Sequence, residues 1–269
     1  MTPHLPHLSF TKIKELLHSP RALYNYMEGA KETTDAMTAG NLLDCLLFEP
    51  HLLEERFLIT EKFDRRTNDA KAKWAALEES AKTNHQTLIF DTDLKDAEKE
   101  ANAVRYNPTV QYLGLLSPEC EYQPAVDFKY RGWQHKGRLD ILKPKKLIAD
   151  LKRVASCVPS ILKKQLIWDR KYHLQAAIYR EGIAQQSGDG RTLPYYIIAV
   201  DAKCECVVFE LQEETLNRGV DLWHQALAAL TKEVNMSSLW GDEEQYFTEF
   251  FGKGQEYWAD NKNEGTFHL

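Results

Sequence analysis

The middle of the chain carries three short apolar stretches, with a turn between the last two. Residues 120–130 alternate between apolar and polar side chains, and residues 133–142 and 147–151 follow with strand-like composition. The intervening Lys143-Pro144-Lys145-Lys146 combines a proline with charged residues, which is typical of a turn. The pattern predicts that 120–130 pairs with 133–142, and that 133–142 pairs in turn with 147–151.

Helical spacing of apolar residues dominates on both sides of these strands. Helices are predicted over 10–18, 21–27, 40–48, 68–82, 91–105, 159–186 and 213–234, and further strands over 56–60, 87–90, 194–200 and 203–211. This order predicts an α/β fold with a mixed, mostly antiparallel sheet flanked by helices. We expect one domain over 1–269, with a mainly helical cover (1–116), a sheet and its following helix (117–211), and C-terminal helices (212–269). The aromatic-rich segment 242–258 is interpreted as either core or a subunit contact.

The composition excludes several classes of protein. The 269 residues are 43% hydrophobic, which is enough for a sizeable core, and no shift in composition marks a linker. No apolar run approaches the roughly 18 residues of a membrane span, and the N-terminal MTPHLPHLSF lacks the basic start and apolar core of a signal peptide. The five cysteines are odd in number and lack metal-knuckle spacing. We therefore expect a cytoplasmic protein with reduced thiols and no membrane partner.

Two acids and a lysine converge in the predicted hairpin. The turn at 143–146 places Asp140 beside Asp150, and the two-residue period of a strand puts Asp150 and Lys152 on one face. Opposed like charges cost a few tenths to about 1 kcal/mol, whereas a divalent cation such as Mg²⁺ would bind both carboxylates. Lys152 could orient or deprotonate a water nucleophile, or neutralise charge on a phosphate. These groups together indicate a metal-dependent phosphodiesterase.

The Asp-x-Lys pattern is common in this chain and weak on its own. It also begins at Asp69, Asp127 and Asp201, and each copy taken alone is typical of a solvated surface pair. The copy at Asp150 differs because it combines a preceding apolar strand, an acid on the partner strand and a downstream helix with a polar stripe. The copy at Asp201 is interpreted as a turn.

Three motifs carry a resemblance to a known family. Gly137-Arg138-Leu139-Asp140, then Asp150-Leu151-Lys152, then the segment 172–179 (YHLQAAIY) together resemble the PD-(D/E)xK nuclease superfamily. Within it the chain is most similar to the nuclease domain of exodeoxyribonuclease VIII, the RecE-like group, which segments 8–20 and 40–50 (GNLLDCLLFEP) also resemble. The likeness runs from about residue 8 to about residue 210 and implies a restriction-endonuclease-like core.

The resemblance implies a set of metal ligands. Asp140, Asp150 and the carbonyl of Leu151 would hold one or two Mg²⁺ ions, for which Mn²⁺ can substitute. Glu121 matches an acid that relatives place beside the metals, with Glu119 as the alternative. Asp44 stands where the RecE-like group usually has a histidine, so it is interpreted either as an additional ligand or support for bound water, or as a half-exposed helix aspartate.

The helix after the hairpin carries polar residues on one face. Tyr172, Gln175, Ala176 and Tyr179 follow the spacing i, i+3, i+4, i+7. As the resemblance implies, Gln175 would act at the catalytic centre and the two tyrosines would contact DNA. The alternative is a tyrosine-lined core contact in which Gln175 is capped locally.

The formal net charge of −6 argues against a large non-specific nucleic-acid surface. Basic residues are nevertheless concentrated around the predicted site, namely Lys143, Lys145, Lys146, Lys152, Arg153, Lys163, Lys164, Arg170 and Lys171. Such a concentration favours phosphate contacts. Lys143 and Arg153 are the members that we expect to bind DNA.

The resemblance also implies an activity and partners. A bacterial or phage enzyme of this kind would degrade one strand of linear double-stranded DNA from its ends, 5′ to 3′, and leave a 3′ single-stranded tail. It would form a ring-shaped tetramer around the duplex and act with a RecT-like single-strand annealing protein. The alternatives are an endonuclease or a nuclease of other polarity in the same superfamily, or a non-catalytic DNA-binding subunit.

Overall fold

The N-terminal part of the protein forms three helices, each begun by a hydroxyl side chain. The computed structural model describes residues 7–29, 33–64 and 66–231. The helices are α1 (Phe10–His18), α2 (Pro20–Glu28) and α3 (Asp35–Phe48). Ser9, Ser19 and Thr34 accept hydrogen bonds from main-chain N–H groups in their first turns. Helix α3 begins before the predicted residue 40 because Thr34 supplies its cap.

The segment between α3 and the central sheet is mainly helical. Its elements are α4 (Leu53–Arg56), β1 (Phe57–Thr60), α5 (Asn68–Thr83), β2 (Thr87–Phe90), α6 (Asp91–Arg105) and α7 (Pro108–Leu113). Strands β1 and β2 form a parallel pair separate from the central sheet. The apolar side of α6 packs with that of α3.

The remaining described strands form the centre of the fold. They are β3 (Glu121–Tyr122), β4 (Ala125–Tyr130), β5 (Trp133–Arg138), β6 (Ile141–Lys143), β7 (Leu147–Val154), β8 (Tyr195–Asp201) and β9 (Cys206–Glu210). Five of them form one sheet in the order β3-β6-β7-β8-β9, while β4 and β5 pair with each other. Within the five-stranded sheet β7 and β8 are parallel and the other neighbours antiparallel. The predicted mixed, mostly antiparallel sheet is confirmed.

The hairpin predicted over 120–142 is bent, and the prediction of two continuous strands was wrong. Gln123 has a φ of +53° and is followed by Pro124, which has no N–H to donate. Pairing continues across the bend, because Gln123 N–H donates to Asp140 O at 3.0 Å. On the other side of the bend, Leu139 N–H donates to Pro124 O at 3.1 Å. The chain thus passes from one sheet to the other immediately before Asp140.

The helical region predicted over 159–186 consists of separate pieces. Helix α8 (Pro159–Lys163) runs into a turn of π-helix (Lys164–Asp169), and α9 (Tyr172–Ser187) follows Lys171, whose φ is +55°. The last described helix is α10 (Glu213–Thr231). It packs tightly on α9, because a Cβ added at Gly219 would lie 2.2 Å from a main-chain oxygen of that helix.

The two faces of the five-stranded sheet have separate hydrophobic cores. On one face Ile148 and Ile197 pack with α1, α9 and α10. On the other face Ala149 and Ile198 pack with α3 and α6. Because side chains alternate along a strand, Asp150 shares the face of Ile148 and lies beneath α9.

Other predictions concern the thiols and the C-terminal region. All five cysteines are free thiols, as expected. None of the described helices has an apolar stretch long enough to cross a bilayer. The aromatic-rich segment 242–258 and the end of the predicted helix 213–234 lie outside the described residues.

Candidate active site

The hairpin of β6 and β7 brings two aspartates together. In its antiparallel register Ile141 is paired with Ala149, so Asp140 lies across from Asp150. Asp140 Oδ2 accepts a hydrogen bond of 2.7 Å from Leu151 N–H. Asp150 is buried, with 1% of its surface exposed. The predicted placement of Asp140 beside Asp150 is confirmed.

Lys152 lies between Asp150 and an aromatic ring. Its Nζ forms an ion pair with Asp150 Oδ2 and lies 4.5 Å from the ring centroid of Tyr172. Burial alone would lower the pKa of Lys152, but the carboxylates of Asp150 and Asp140 outweigh burial and raise this pKa above its usual value. Lys152 is therefore a protonated ammonium at neutral pH.

Asp44 joins this group from α3. Burial raises the pKa of Asp44 to about 6, against the opposing charge of Lys152 and with the support of Asp150. The pKa of Asp140 is raised well above its usual value, first by burial and then by the charge of Asp150. Asp44 also lines a cleft of about 210 Å³ together with Lys152 and Tyr172. The structure thus brings Asp44 into electrostatic contact with the two hairpin aspartates.

The oxygen atoms at this site fit a hard divalent cation. The buried oxygens of Asp150 accept no main-chain hydrogen bond among the described residues, and their polar side-chain neighbours are the ammonium of Lys152 and the hydroxyl of Tyr195. A carboxylate in that state is unfavourable unless a cation completes its surroundings. The N–H and C=O of one strand residue point to the same side, so the carbonyl of Leu151 also faces Asp140.

The described residues contain no group of three or more His, Cys, Asp or Glu side chains placed to hold a metal. Asp44 lies close to the hairpin pair and stays a predicted additional ligand or support for bound water. Asp140, Asp150 and the carbonyl of Leu151 fit a Mg²⁺ ion that takes its other ligands from water and a phosphate, as Mg²⁺ commonly does.

Helix α9 contributes the predicted polar stripe, but its members differ in role. Gln175 Nε2 donates to Tyr179 Oη at 3.4 Å, and Gln175 Oε1 is buried without a donor among the described residues. The ring of Tyr179 is buried against Gly137, where an added Cβ would lie 2.5 Å from it. Tyr179 cannot reach DNA, so its predicted DNA-binding role is corrected to one of supporting Gln175. Tyr172 is half-buried in the wall of the cleft and stays a predicted DNA contact.

Sequence comparison assigns the chain to a family. Residues 9–243 match the family described as a PDDEXK-like domain of unknown function (DUF3799). The chain belongs to this family. The PD-(D/E)xK superfamily predicted from the three motifs is therefore confirmed. Comparison with curated proteins found no match.

A solved structure shares the fold of this PDDEXK-like domain. The crystal structure of a protein from Eubacterium rectale, provisionally described as an exonuclease, is 15% identical with a TM-score of 0.58, and the match covers 83% of this chain and 79% of that one. The crystal structure of SSO0001 is 12% identical over 84% of this chain and 89% of that one, but its TM-score of 0.28 is too low to support an argument.

Two residues predicted to bind DNA have partners inside the PDDEXK-like domain. Lys143 Nζ donates to Leu113 O at 2.9 Å and forms an ion pair with Glu119 at 3.3 Å. Arg153 donates to both carboxylate oxygens of Glu100, each at 2.8 Å, and Glu100 is buried. A guanidinium held in a bidentate pair cannot also bind a phosphate in that way. Lys143 is therefore removed from the predicted DNA contacts, whereas Arg153 also lines the cleft beside Lys152 and stays a predicted contact.

The third acid expected from the resemblance does not join the cluster. Glu121 is exposed on β3, is paired with Leu142, and lines a separate cleft of about 330 Å³. Glu119, the alternative, forms ion pairs with Lys143 and Lys146. The prediction of Glu121 as a metal ligand is corrected, because the bend places Gln123 across from Asp140 instead.

Three residues near Asp140 and Asp150 were not predicted from the sequence: Gln123, Arg138 and Tyr195. Gln123 Oε1 is buried without a hydrogen-bond partner among the described residues. Arg138 lies close enough for its charge to oppose the raised pKa of Asp44. Burial, followed by the charge of Asp150, raises the pKa of Tyr195 well above its usual value. Arg138 could have been identified from the sequence, because it stands in the motif that ends at Asp140. Tyr195 could not be distinguished from the other residues of an apolar strand.

Proposed function

We propose that the protein is a Mg²⁺-dependent exodeoxyribonuclease that degrades linear double-stranded DNA from its ends. The observation that carries the proposal is the state of Asp150, a buried carboxylate beside Asp140 that accepts no main-chain hydrogen bond among the described residues and has only the side chains of Lys152 and Tyr195 as polar partners there. A cation ligand explains that state better than a structural role. Membership of a PDDEXK-like family supports phosphodiester hydrolysis.

Each residue at this site would have a separate role in the reaction. Asp140, Asp150 and the carbonyl of Leu151 would hold Mg²⁺, or Mn²⁺ in its place, and the hydrogen bond from Leu151 N–H fixes the orientation of Asp140. The bound ion would supply Lewis-acid polarisation of the scissile phosphate. Lys152 would orient the attacking water and neutralise charge on the phosphate. Gln175, held by Tyr179, would position the phosphate or a carboxylate.

The direction and assembly of the reaction follow from the resemblance. Likeness to the RecE-like group supports 5′ to 3′ degradation that leaves a 3′ single-stranded tail for recombination by strand annealing. It also supports a ring-shaped tetramer and a RecT-like annealing partner. The description of the Eubacterium rectale protein as a provisional exonuclease supports action from DNA ends.

The test is digestion of a linear duplex labelled at the 5′ end in one sample and at the 3′ end in another. Each is incubated with Mg²⁺ or EDTA beside a circular duplex, with the Asp150→Ala variant as the control. We expect early release of the 5′ label as mononucleotide, dependence on both Mg²⁺ and Asp150, and an intact circle.

Other outcomes would contradict parts of the proposal. Nicking of the circle would indicate an endonuclease, and early release of the 3′ label would reverse the polarity. Absence of cleavage in every sample would leave a non-catalytic DNA-binding subunit as the better account. The tetramer predicts a mass in light scattering of four chains of 31.1 kDa each.

A further inference from the structure

The segment between β7 and α9 exposes apolar side chains beside the active cleft. Val158, Ile161 and Trp168 are 51%, 49% and 39% exposed. Leu162 and Leu166 from the same segment are buried in the core. We call the exposed side of residues 158–171 the α8 surface. This surface is next to the cleft in the sequence, because Tyr172, the residue that follows it, lines the cleft.

Basic side chains surround these apolar residues. Lys163, Lys164 and Arg170 are exposed, and none of the three forms an ion pair with another residue in the described ranges. Burial lowers the pKa of Lys171, and the positive charge of Lys14 lowers it further. Positive charge thus accumulates here in a chain whose net charge is −6. An anionic ligand would relieve this repulsion.

The α8 surface is held in one geometry. Gln165 Oε1 accepts a hydrogen bond of 3.1 Å from Ala155 N–H, which ties the π-helical turn to the end of β7. Lys171 Nζ donates to Trp168 O at 3.3 Å, and Lys171 itself has the left-handed φ of +55°. π-helical turns and left-handed non-glycine residues both occur preferentially at functional sites. Here the hydrogen bonds of Gln165 and Lys171 fix the main chain on both sides of Trp168, whose side chain is exposed in the same segment as the basic residues.

We propose that the α8 surface binds the single-stranded part of the DNA strand that leads to the active cleft. Trp168 would stack on a base, while Lys163, Lys164 and Arg170 would contact successive phosphates. An aromatic platform within a basic surface is the usual means of binding single strands without sequence preference. The basic residues favour this occupant over an apolar protein partner. The inference rests on the proposed nuclease function and specifies where the unpaired strand is held.

The first test measures binding of a fluorescein-labelled oligothymidylate by anisotropy in EDTA, where no cleavage occurs. We expect Trp168→Ala to weaken binding about tenfold, within the range measured for loss of one stacked base, and Trp168→Phe to restore most of it. Tyr112→Ala on α7, which removes an aromatic ring that is 89% exposed, is the matched control and should bind as the parent does. Equal affinities for the parent and Trp168→Ala would overturn the proposal.

The second test concerns the phosphate contacts. The double variant Lys163→Gln/Lys164→Gln should lower the slope of log Kd against log salt by about 1.4, because each contact to a single strand contributes about 0.7. The double variant Lys71→Gln/Lys82→Gln on α5 makes the same change in net charge at exposed positions and should leave the slope unchanged. Identical slopes for the two double variants would show that only overall charge matters, which contradicts a local surface.

A third measurement separates this inference from the proposed function. Bis(p-nitrophenyl) phosphate is a small phosphodiester without bases, so Trp168→Ala should hydrolyse it at the rate of the parent while degrading DNA more slowly. A parallel loss on both substrates would mean that Trp168 acts on the fold or the catalytic centre, and would overturn the inference. If the parent cleaves neither substrate, the proposed function fails, while the anisotropy measurements still decide whether the α8 surface binds a single strand.

Discussion

Two Asp-x-Lys sequences lie on neighbouring parallel strands and have opposite surroundings. One begins at Asp150 inside β7, and the other begins at Asp201 at the end of β8, where Asp201 is paired with Val154. Both aspartates are buried, with exposures of 1% and 4%. Burial and local sequence therefore do not distinguish them.

Hydrogen bonding distinguishes the two aspartates. Asp201 accepts hydrogen bonds from the N–H groups of Cys157, Lys203 and Glu205 at 3.1, 2.9 and 3.1 Å. Burial would raise the pKa of Asp201, but these donors hold it below its usual value. Asp150 accepts no main-chain hydrogen bond among the described residues and lies beside the side chains of Lys152 and Tyr195. A buried carboxylate that the main chain already satisfies stabilises a turn, as predicted for Asp201, whereas an unsatisfied one is available to a ligand.

The largest expected effect comes from replacing each aspartate by asparagine. Asp150→Asn should reduce single-turnover DNA cleavage by about 10³-fold or more, as for loss of a central catalytic group, while the variant stays folded because loss of the repulsion from Asp140 offsets loss of the ion pair with Lys152. Asp201→Asn should destabilise the fold by about 1–3 kcal/mol, because it weakens buried hydrogen bonds, and should leave cleavage by the folded protein unchanged. The comparison fails if the two variants show the same pattern of lost activity and lost stability.

The ion pair between Arg153 and the buried Glu100 tests whether a charged group that is already neutralised within the fold has a structural role. Arg153→Ala should lower the free energy of unfolding by about 3–5 kcal/mol, because it leaves the buried carboxylate of Glu100 without its partner. Lys99→Ala breaks a pair with Asp96 that is exposed to solvent and should leave the free energy of unfolding almost unchanged. Urea denaturation measures both, and a loss at Arg153 no larger than at Lys99 would contradict the structural role assigned to Arg153.

A buried histidine without a partner should make stability depend on pH. Burial lowers the pKa of His173 to about 4, below its ordinary value of 6.5, so the folded state binds fewer protons than the unfolded state. This contribution is fully present above pH 6.5 and is lost as the pH falls towards 4, by about 3 kcal/mol. His173→Leu should flatten the stability profile over that range, and His51→Gln at an exposed position should not. Identical pH profiles of stability for the parent and His173→Leu would disprove the assignment.

Replacement of Asp44 should have the smallest effect, and we expect that effect on the Mg²⁺ concentration that cleavage requires. Asp44→Asn should raise the Mg²⁺ concentration for half-maximal cleavage about tenfold, as for residues that act on a metal through its ligands. Because the pKa of Asp44 is about 6, the parent should need more Mg²⁺ as the pH falls below that value, and the variant, in which only Asp140 still has a raised pKa, should show a weaker dependence. Identical Mg²⁺ titrations for the two proteins would return Asp44 to a structural role.

Elements with strong local signals were predicted well. The bounds of α6 and β2 agree with the predicted 91–105 and 87–90, and the hairpin of β6 and β7 formed as its turn indicated. The bend at Gln123 and the π-helical turn were not predicted, because each depends on hydrogen bonds with other parts of the chain. Glu121 was misassigned for the same reason, since a bend in one strand changes which residue lies opposite Asp140.

The sequence by itself determined where Asp140, Asp150 and Lys152 lie relative to one another. Asp140, Asp150 and Lys152 lie on two adjacent strands joined by a short turn, so strand periodicity and turn position are enough to bring them together. The tertiary structure decided which other charged groups serve the site. Asp44 reaches it on a separate helix, whereas Arg153, at the edge of the same cleft, is paired with Glu100 on α6. The role of a charged side chain depends on the group that neutralises it, and here those groups come from distant parts of the chain.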